Sequence, residues 1–172
     1  MENYKKLEFV IIEHSLLKPF TLKEAIIWKT ILFKAQNKHL NQFPYPKSYI
    51  KELTGIARNT INKALEKFEK LNLINIIDKK SYLTSNCESD FFFEIEREFL
   101  EQENKFRSNE LTKIPTIHFN FKLCANLKIN ETQYSILHTY YILSRNNGYA
   151  FIGKNYFIRI FGVKERQFKA IK

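Results

Sequence analysis

Between residues 61 and 71 the large apolar side chains fall at Ile61, Leu65, Phe68 and Leu71, three or four positions apart. That spacing predicts a helix with one buried stripe. Arg58, Asn59, Asn62, Lys63 and Lys67 fill the opposite face. Ahead of it a shorter helix runs from Pro46, whose missing N–H costs nothing in a first turn, to about Leu53. Gly55 tolerates the positive φ that bends one helix away from the next, so the pair reads as a helix-turn-helix. Further upstream, residues 7–12 form a short apolar run that predicts a strand. Thr21-Leu22-Lys23-Glu24 then spells a capping box for a helix burying Ile26, Ile27, Thr30, Ile31 and Phe33. A polar loop, Asn37 to Gln42, follows. Downstream, residues 73–77 read as a strand, 78–81 as a turn and 82–84 as the returning strand, with Lys79 and Lys80 at the tip.

Helix, helix, helix, hairpin is the winged-helix order, the hairpin being the wing. The order then begins again. Residues 116–121 predict a strand, Asn130-Glu131-Thr132-Gln133 a second capping box, and the next helix carries Tyr134, Leu137, Tyr140 and Tyr141 on its buried side. Residues 151–161 supply a further helix and its approach, Gly162 the turn, and residues 163–169 the start of another third helix. The caps Thr21 and Asn130 stand 109 apart and the glycines Gly55 and Gly162 stand 107 apart, as expected of a tandem duplication with one loop shortened by two residues. Lys172 falls where Leu65 sits in the first unit, so the chain reads as a piece of a longer protein. The expected fold is mainly α with small β-hairpin wings. Its expected parts are a winged-helix domain over 1–86, an acidic aromatic connector helix over 87–112, and a second winged-helix domain over 113–172, truncated before its wing.

The connector places Phe92, Ile95, Phe99 and Phe106 at roughly heptad spacing among Glu94, Glu96, Glu98, Glu101 and Glu103. Such a stripe suits a helix laid on the first domain. It also suits the seam of a homodimer, given help from the domains.

Charge narrows the class of partner. The 172 residues carry a net charge of +10 with a pI near 9.5, which favours a polyanion, most simply nucleic acid. Residues 1–84 hold 15 Lys/Arg against 8 Asp/Glu, residues 85–110 hold 3 against 8, and residues 111–172 hold 10 against 2. Two basic blocks therefore flank an acidic connector. Cys87 and Cys124 match no metal-ligand spacing and read as reduced, inert thiols of a cytoplasmic prokaryotic protein associated with nucleoid or plasmid. No apolar run approaches the ~18 residues of a membrane span, and no leader opens the chain.

Arg58, Asn59, Thr60, Asn62 and Lys63 cluster at the start of the third helix, the part that enters a major groove in this architecture. Arg takes guanine bidentately and Asn does the same for adenine, while Thr60 suits a phosphate or a thymine methyl. Lys67 extends that face. Tyr45, Lys47, Ser48 and Lys51 flank the second helix and suit backbone contacts, as do Lys79 and Lys80 on the wing. In the second unit Lys164, Arg166, Gln167 and Lys169 take the equivalent face. Residues 148–155, Gly-Tyr-Ala-Phe-Ile-Gly-Lys-Asn, nearly spell a phosphate-binding loop, but Asn155 lacks the hydroxyl that ligates magnesium and no buried strand precedes it. His14, His39, His118 and His138 are scattered and pair with no cysteine at ligand spacing. The expectation is a binding protein, not an enzyme, with no cofactor and no metal.

Both units resemble the winged-helix domains of plasmid and phage replication initiators and of primosomal initiation proteins. The likeness rests on Tyr49-Ile50-Lys51-Glu52-Leu53-Thr54-Gly55-Ile56-Ala57-Arg58-Asn59-Thr60-Ile61 and its return from Tyr156 through Gly162-Val163 to Gln167-Phe168. It implies sequence-specific binding of double-stranded DNA through Arg58, Asn59, Thr60, Asn62 and Lys63, and through Arg166, Gln167 and Lys169. The implied role is origin binding in replication initiation. Transcription regulators at operators use the same module, and a winged-helix scaffold docking proteins through the Phe92/Phe99/Phe106 stripe is the reading from another class.

Overall fold

The computed structural model describes residues 7–36, 42–43, 47–77, 80–83, 97–98, 101, 116–145, 148, 153–162 and 164–165. These are mainly helical, with two small antiparallel sheets. Strand β1 is Phe9–Glu13, a 3-10 turn covers His14–Leu17, and helix α1 is Leu22–Gln36. Strand β2 (Gln42–Phe43) leads to helices α2 (Lys47–Thr54) and α3 (Arg58–Lys70), and strands β3 (Ile74–Ile77) and β4 (Lys80–Leu83) follow. Then come strand β5 (Thr116–Asn120) and helices α4 (Phe121–Asn126), α5 (Glu131–Ser144) and α6 (Lys154–Phe161).

Both capping boxes form. Glu24 N–H donates to Thr21 Oγ1 (3.3 Å) and Thr21 N–H to Glu24 Oε2 (2.8 Å). In the second, Gln133 N–H donates to Asn130 Oδ1 (2.9 Å) and Asn130 N–H to Gln133 Oε1 (3.0 Å), so two orphan amides are satisfied at each helix start. The offset of 107 carries β1 onto β5 and α2 onto α6, residue for residue at both ends.

In α1 the core residues Ile26, Ile27, Thr30 and Ile31 are buried as expected, and Phe33 is half-buried. Thr30 is tolerated there because its hydroxyl donates back to the Ile26 carbonyl at 2.8 Å. Phe20, Trp28 and Phe68 meet in edge-on and tilted contacts of 5.2–6.4 Å between ring centroids, welding α3 to α1.

Strand β1 pairs with β5, bringing the start of each half into one ladder. Val10, Ile12, Ile117 and Phe119 face inward along it, and the apolar core runs continuously across both halves. The other sheet has the order β2-β4-β3.

Five local readings change. Leu71, expected to close the buried stripe of α3, caps the end of that helix and is exposed. The polar loop before α2 ends in strand β2, too short to leave an alternating pattern, which pairs with β4. The hairpin is tighter than expected: Ile77 pairs with Lys80, so Lys80 belongs to a strand and not to the tip. Lys79 and the side chain of Lys80 lie outside the described residues. The strand predicted at 7–12 starts at Phe9. In α5, Leu137 and Tyr141 are 52% and 65% exposed, while Ser135, Ile136 and Thr139 face the core. Under the offset of the caps, Leu137 stands where Trp28 stands in the first half, and there Phe68 of α3 covers the site. Here the same face is a groove of about 340 Å³, lined also by Leu123, Leu127 and Ile129.

Of the connector, positions 97, 98 and 101 are described, helical and exposed. Its stripe of Phe92, Ile95, Phe99 and Phe106 lies outside the described residues.

Candidate nucleic-acid interface

The turn between α2 and α3 is built by three residues. Gly55 adopts φ +70°, a left-handed conformation that costs other L-residues energy, and its N–H donates to the Lys51 carbonyl at 2.8 Å. Thr54 Oγ1 donates to the Ile50 carbonyl (2.6 Å) and accepts the Ile56 N–H (3.2 Å). Ile56 is buried and anchors the turn in the core. Gly162, after α6, has φ +61° and makes the corresponding end in the second half.

Helix α3 buries Ile61, Ala64, Leu65 and Phe68 and therefore turns its other face outward. Arg58, Asn59 and Lys63 are exposed at its N-terminal end, and among the described residues no hydrogen bond or ion pair engages them. Thr60 is half-buried. Lys47 and Ser48, at the start of α2, are half-buried and exposed respectively, and Lys51 is exposed. Cations and hydrogen-bonding side chains thus gather where α2 and α3 meet.

Two of the expected reading residues behave differently. Lys67 Nζ lies 2.8 Å from Glu24 Oε2, 2.6 Å from the Pro19 carbonyl and 5.4 Å from the centroid of Phe20. Its charge fastens α3 to the start of α1 and is spent within the fold, a tertiary pairing that helical spacing alone does not reveal. Asn62 sits on the flank, half-buried, with its Oδ1 shielded from solvent and, among the described residues, without a hydrogen-bond partner. The exposed face also carries acids: Glu66 and Glu69 are exposed, and Glu69 Oε1 accepts the Ile76 N–H at 3.3 Å, tying α3 to β3. Positive charge is therefore concentrated at the first turns of α3 and diluted toward its end.

In the second half, Lys164 and Glu165 are exposed, and Glu165 Oε1 pairs with Lys154 Nζ at 2.7 Å. Arg166, Gln167 and Lys169 lie outside the described residues. The near-match to a phosphate loop dissolves: Gly153 is the N-cap of α6 with an ordinary φ of −72°, and Lys154 opens that helix. Both sheets are antiparallel, without the parallel strand such a loop follows.

Other chemistry finds little footing. Among the described residues no group of three or more His, Cys, Asp or Glu is placed to hold a metal. Burial raises the Cys124 thiol above its ordinary range, and Sγ donates to the Ile129 carbonyl at 3.0 Å, so the sulfur is occupied in closing α4. Cys87 lies outside the described residues. His138 stacks between His118 (5.8 Å) and Tyr134 (6.2 Å); burial first and His118 second hold it below its ordinary range. No described helix is long and apolar enough to cross a membrane.

Compared with protein-family models, with curated proteins and with solved structures, the chain finds no match.

Proposed function

We propose that the chain is a sequence-specific double-stranded DNA-binding protein built from two winged-helix units. The observation that carries the reading is the outward N-terminal end of α3, where Arg58, Asn59 and Lys63 stand exposed while Ile61, Ala64, Leu65 and Phe68 seat the helix in the core. A helix so mounted enters a major groove with its first turns leading. Lys47, Ser48 and Lys51 then flank it toward the phosphates. The element order α1-β2-α2-α3-β3-β4, with β2 and β3 on either side of β4, supports the same architecture. A net charge of +10 supplies the long-range attraction.

Origin binding in replication initiation is the role favoured by the resemblance of the two Tyr-x₅-Gly segments. Operator binding by a transcription regulator uses the same contacts. Selection of bound fragments from random duplex DNA, followed by footprinting, tests the reading. Enrichment of a defined sequence supports it. Binding to no duplex at low ionic strength defeats it and favours a protein-docking scaffold.

A further inference from the structure

A cleft of about 490 Å³ is lined jointly by helix α2 of the first half and helix α4 of the second. Tyr49, Glu52 and Leu53 recur three and four residues apart, so they share one side of α2. Phe121 and Lys122 come from the start of α4, and Leu7 and Glu8, just ahead of β1, complete the lining. The Phe121 N–H donates to the Glu8 carbonyl at 3.0 Å, which ties the approach to β1 to the start of α4.

The lining divides into two chemistries. Leu7 and Phe121 are buried, and Leu53 and the Tyr49 ring are half-buried, so together they give an apolar surface. Glu8, Glu52 and Lys122 are exposed, and among the described residues no hydrogen bond or ion pair engages their side chains. Charges that meet between elements elsewhere are paired: Lys23 with Glu131, Lys29 with Glu13 and Lys67 with Glu24 stand 2.6–2.9 Å apart. Here two carboxylates and one ammonium surround an apolar patch without neutralising one another. In a chain of net charge +10 the cleft is a local excess of acid, unsuited to a polyanion.

We propose that this cleft binds a free amino acid with a bulky apolar side chain. The Glu8 and Glu52 carboxylates suit the ligand's ammonium, and Lys122 suits its carboxylate. Leu7, Leu53, Phe121 and the Tyr49 ring take its side chain and discriminate against small amino acids. A zwitterion uses all three charges, whereas a simple anion meets two carboxylates and a simple amine leaves Lys122 without a partner. The volume falls within the ~300–1,000 Å³ common to small-molecule sites. Because the walls come from both halves, an occupied cleft also stabilises the folded chain. The assignment stands independently of the DNA-binding reading, and its test involves no DNA.

The test adds L-phenylalanine to the full chain and follows calorimetric binding and the thermal unfolding midpoint. Saturable binding with a raised midpoint is the expected result. N-acetyl-L-phenylalanine lacks the ammonium, L-phenylalaninamide lacks the carboxylate and glycine lacks the apolar body. Each is expected to bind at least ~10-fold more weakly. Glu52→Gln and Lys122→Gln, both at exposed positions, are each expected to weaken L-phenylalanine at least ~3-fold. Glu66→Gln removes an exposed carboxylate from α3 and should leave that affinity unchanged. Absence of L-phenylalanine binding at ~10 mM overturns the site. Equal affinity of the blocked forms, or unchanged affinity in both Glu52→Gln and Lys122→Gln, overturns the assignment of charges. Tighter binding of the dipeptide L-phenylalanyl-L-leucine overturns the free amino acid as ligand.

Discussion

Lys67 Nζ sits 2.8 Å from Glu24 Oε2, the same oxygen that accepts the Thr21 N–H in the capping box of α1. One carboxylate thereby caps the first helix and clamps the third. Lys67 is partly exposed, so screening trims the pair, and Lys67→Ala is expected to lower stability by about 1 kcal/mol. Urea unfolding measures that loss. DNA sequence preference is expected to stay as it was, and a variant of unchanged stability that loses preference would return Lys67 to the reading face.

Gly55 and Gly153 offer a matched pair of substitutions. A Cβ added at either meets nothing within 4 Å, but Gly55 has φ +70° and Gly153 has φ −72°. Gly55→Ala is therefore expected to cost ~1–2 kcal/mol from backbone conformation alone. At Gly153 the chain entropy that alanine removes from the unfolded state is offset by its poorer fit at a helix N-cap, so Gly153→Ala is expected to be near neutral. Thermal unfolding of the two variants compares them; equal effects would remove the conformational argument for the turn.

His138 makes stability depend on pH. Burial and the neighbouring His118 hold its folded pKa below the ordinary 6.5, so the unfolded chain takes up a proton first as pH falls. Its contribution is full above about pH 6.5, declines as pH drops below that value, and levels off once the folded form also protonates. Urea midpoints measured from about pH 8 to about pH 5 should fall for the native chain and fall less for His138→Gln. Identical profiles would place the titrating group elsewhere.

Reading and positioning residues should separate on DNA. Arg58→Ala and Asn59→Ala are each expected to cost ~1–3 kcal/mol against the preferred base at one position, and thereby to relax specificity. Lys51→Ala, beside the turn, is expected to weaken preferred and random duplexes alike. Competition binding with single-base variants distinguishes the two patterns. Loss of preference from Lys51→Ala instead would move the reading surface onto α2.

Most of the element order was legible because it is written locally. Thr21/Glu24 and Asn130/Gln133 announce helix starts through side chain–backbone bonds three residues long, and both boxes form. Gly55 and Gly162 mark positive φ for the same local reason. The buried stripe of α3 was legible at Ile61, Leu65 and Phe68. Long-range pairing was not. Strand β2 has two residues and no period to detect. Lys67 looked like a surface cation because its partner, Glu24, is distant in sequence. Leu137 and Tyr141 carried the apolar character of a core face, but that face is a groove in the second half, whereas Phe68 fills it in the first. The pairing of Ile11 with His118 is equally invisible to periodicity, since alternation predicts a strand and says nothing of its neighbour.

The most direct measurement is the salt dependence of binding by the full chain to a selected duplex, taken with and without Lys63→Ala. The logarithm of the association constant is expected to fall linearly with the logarithm of salt concentration, and Lys63→Ala to make that slope shallower by about one. Absent binding at low ionic strength, or affinity indifferent to salt, would contradict the docking of this cationic helix end on a duplex.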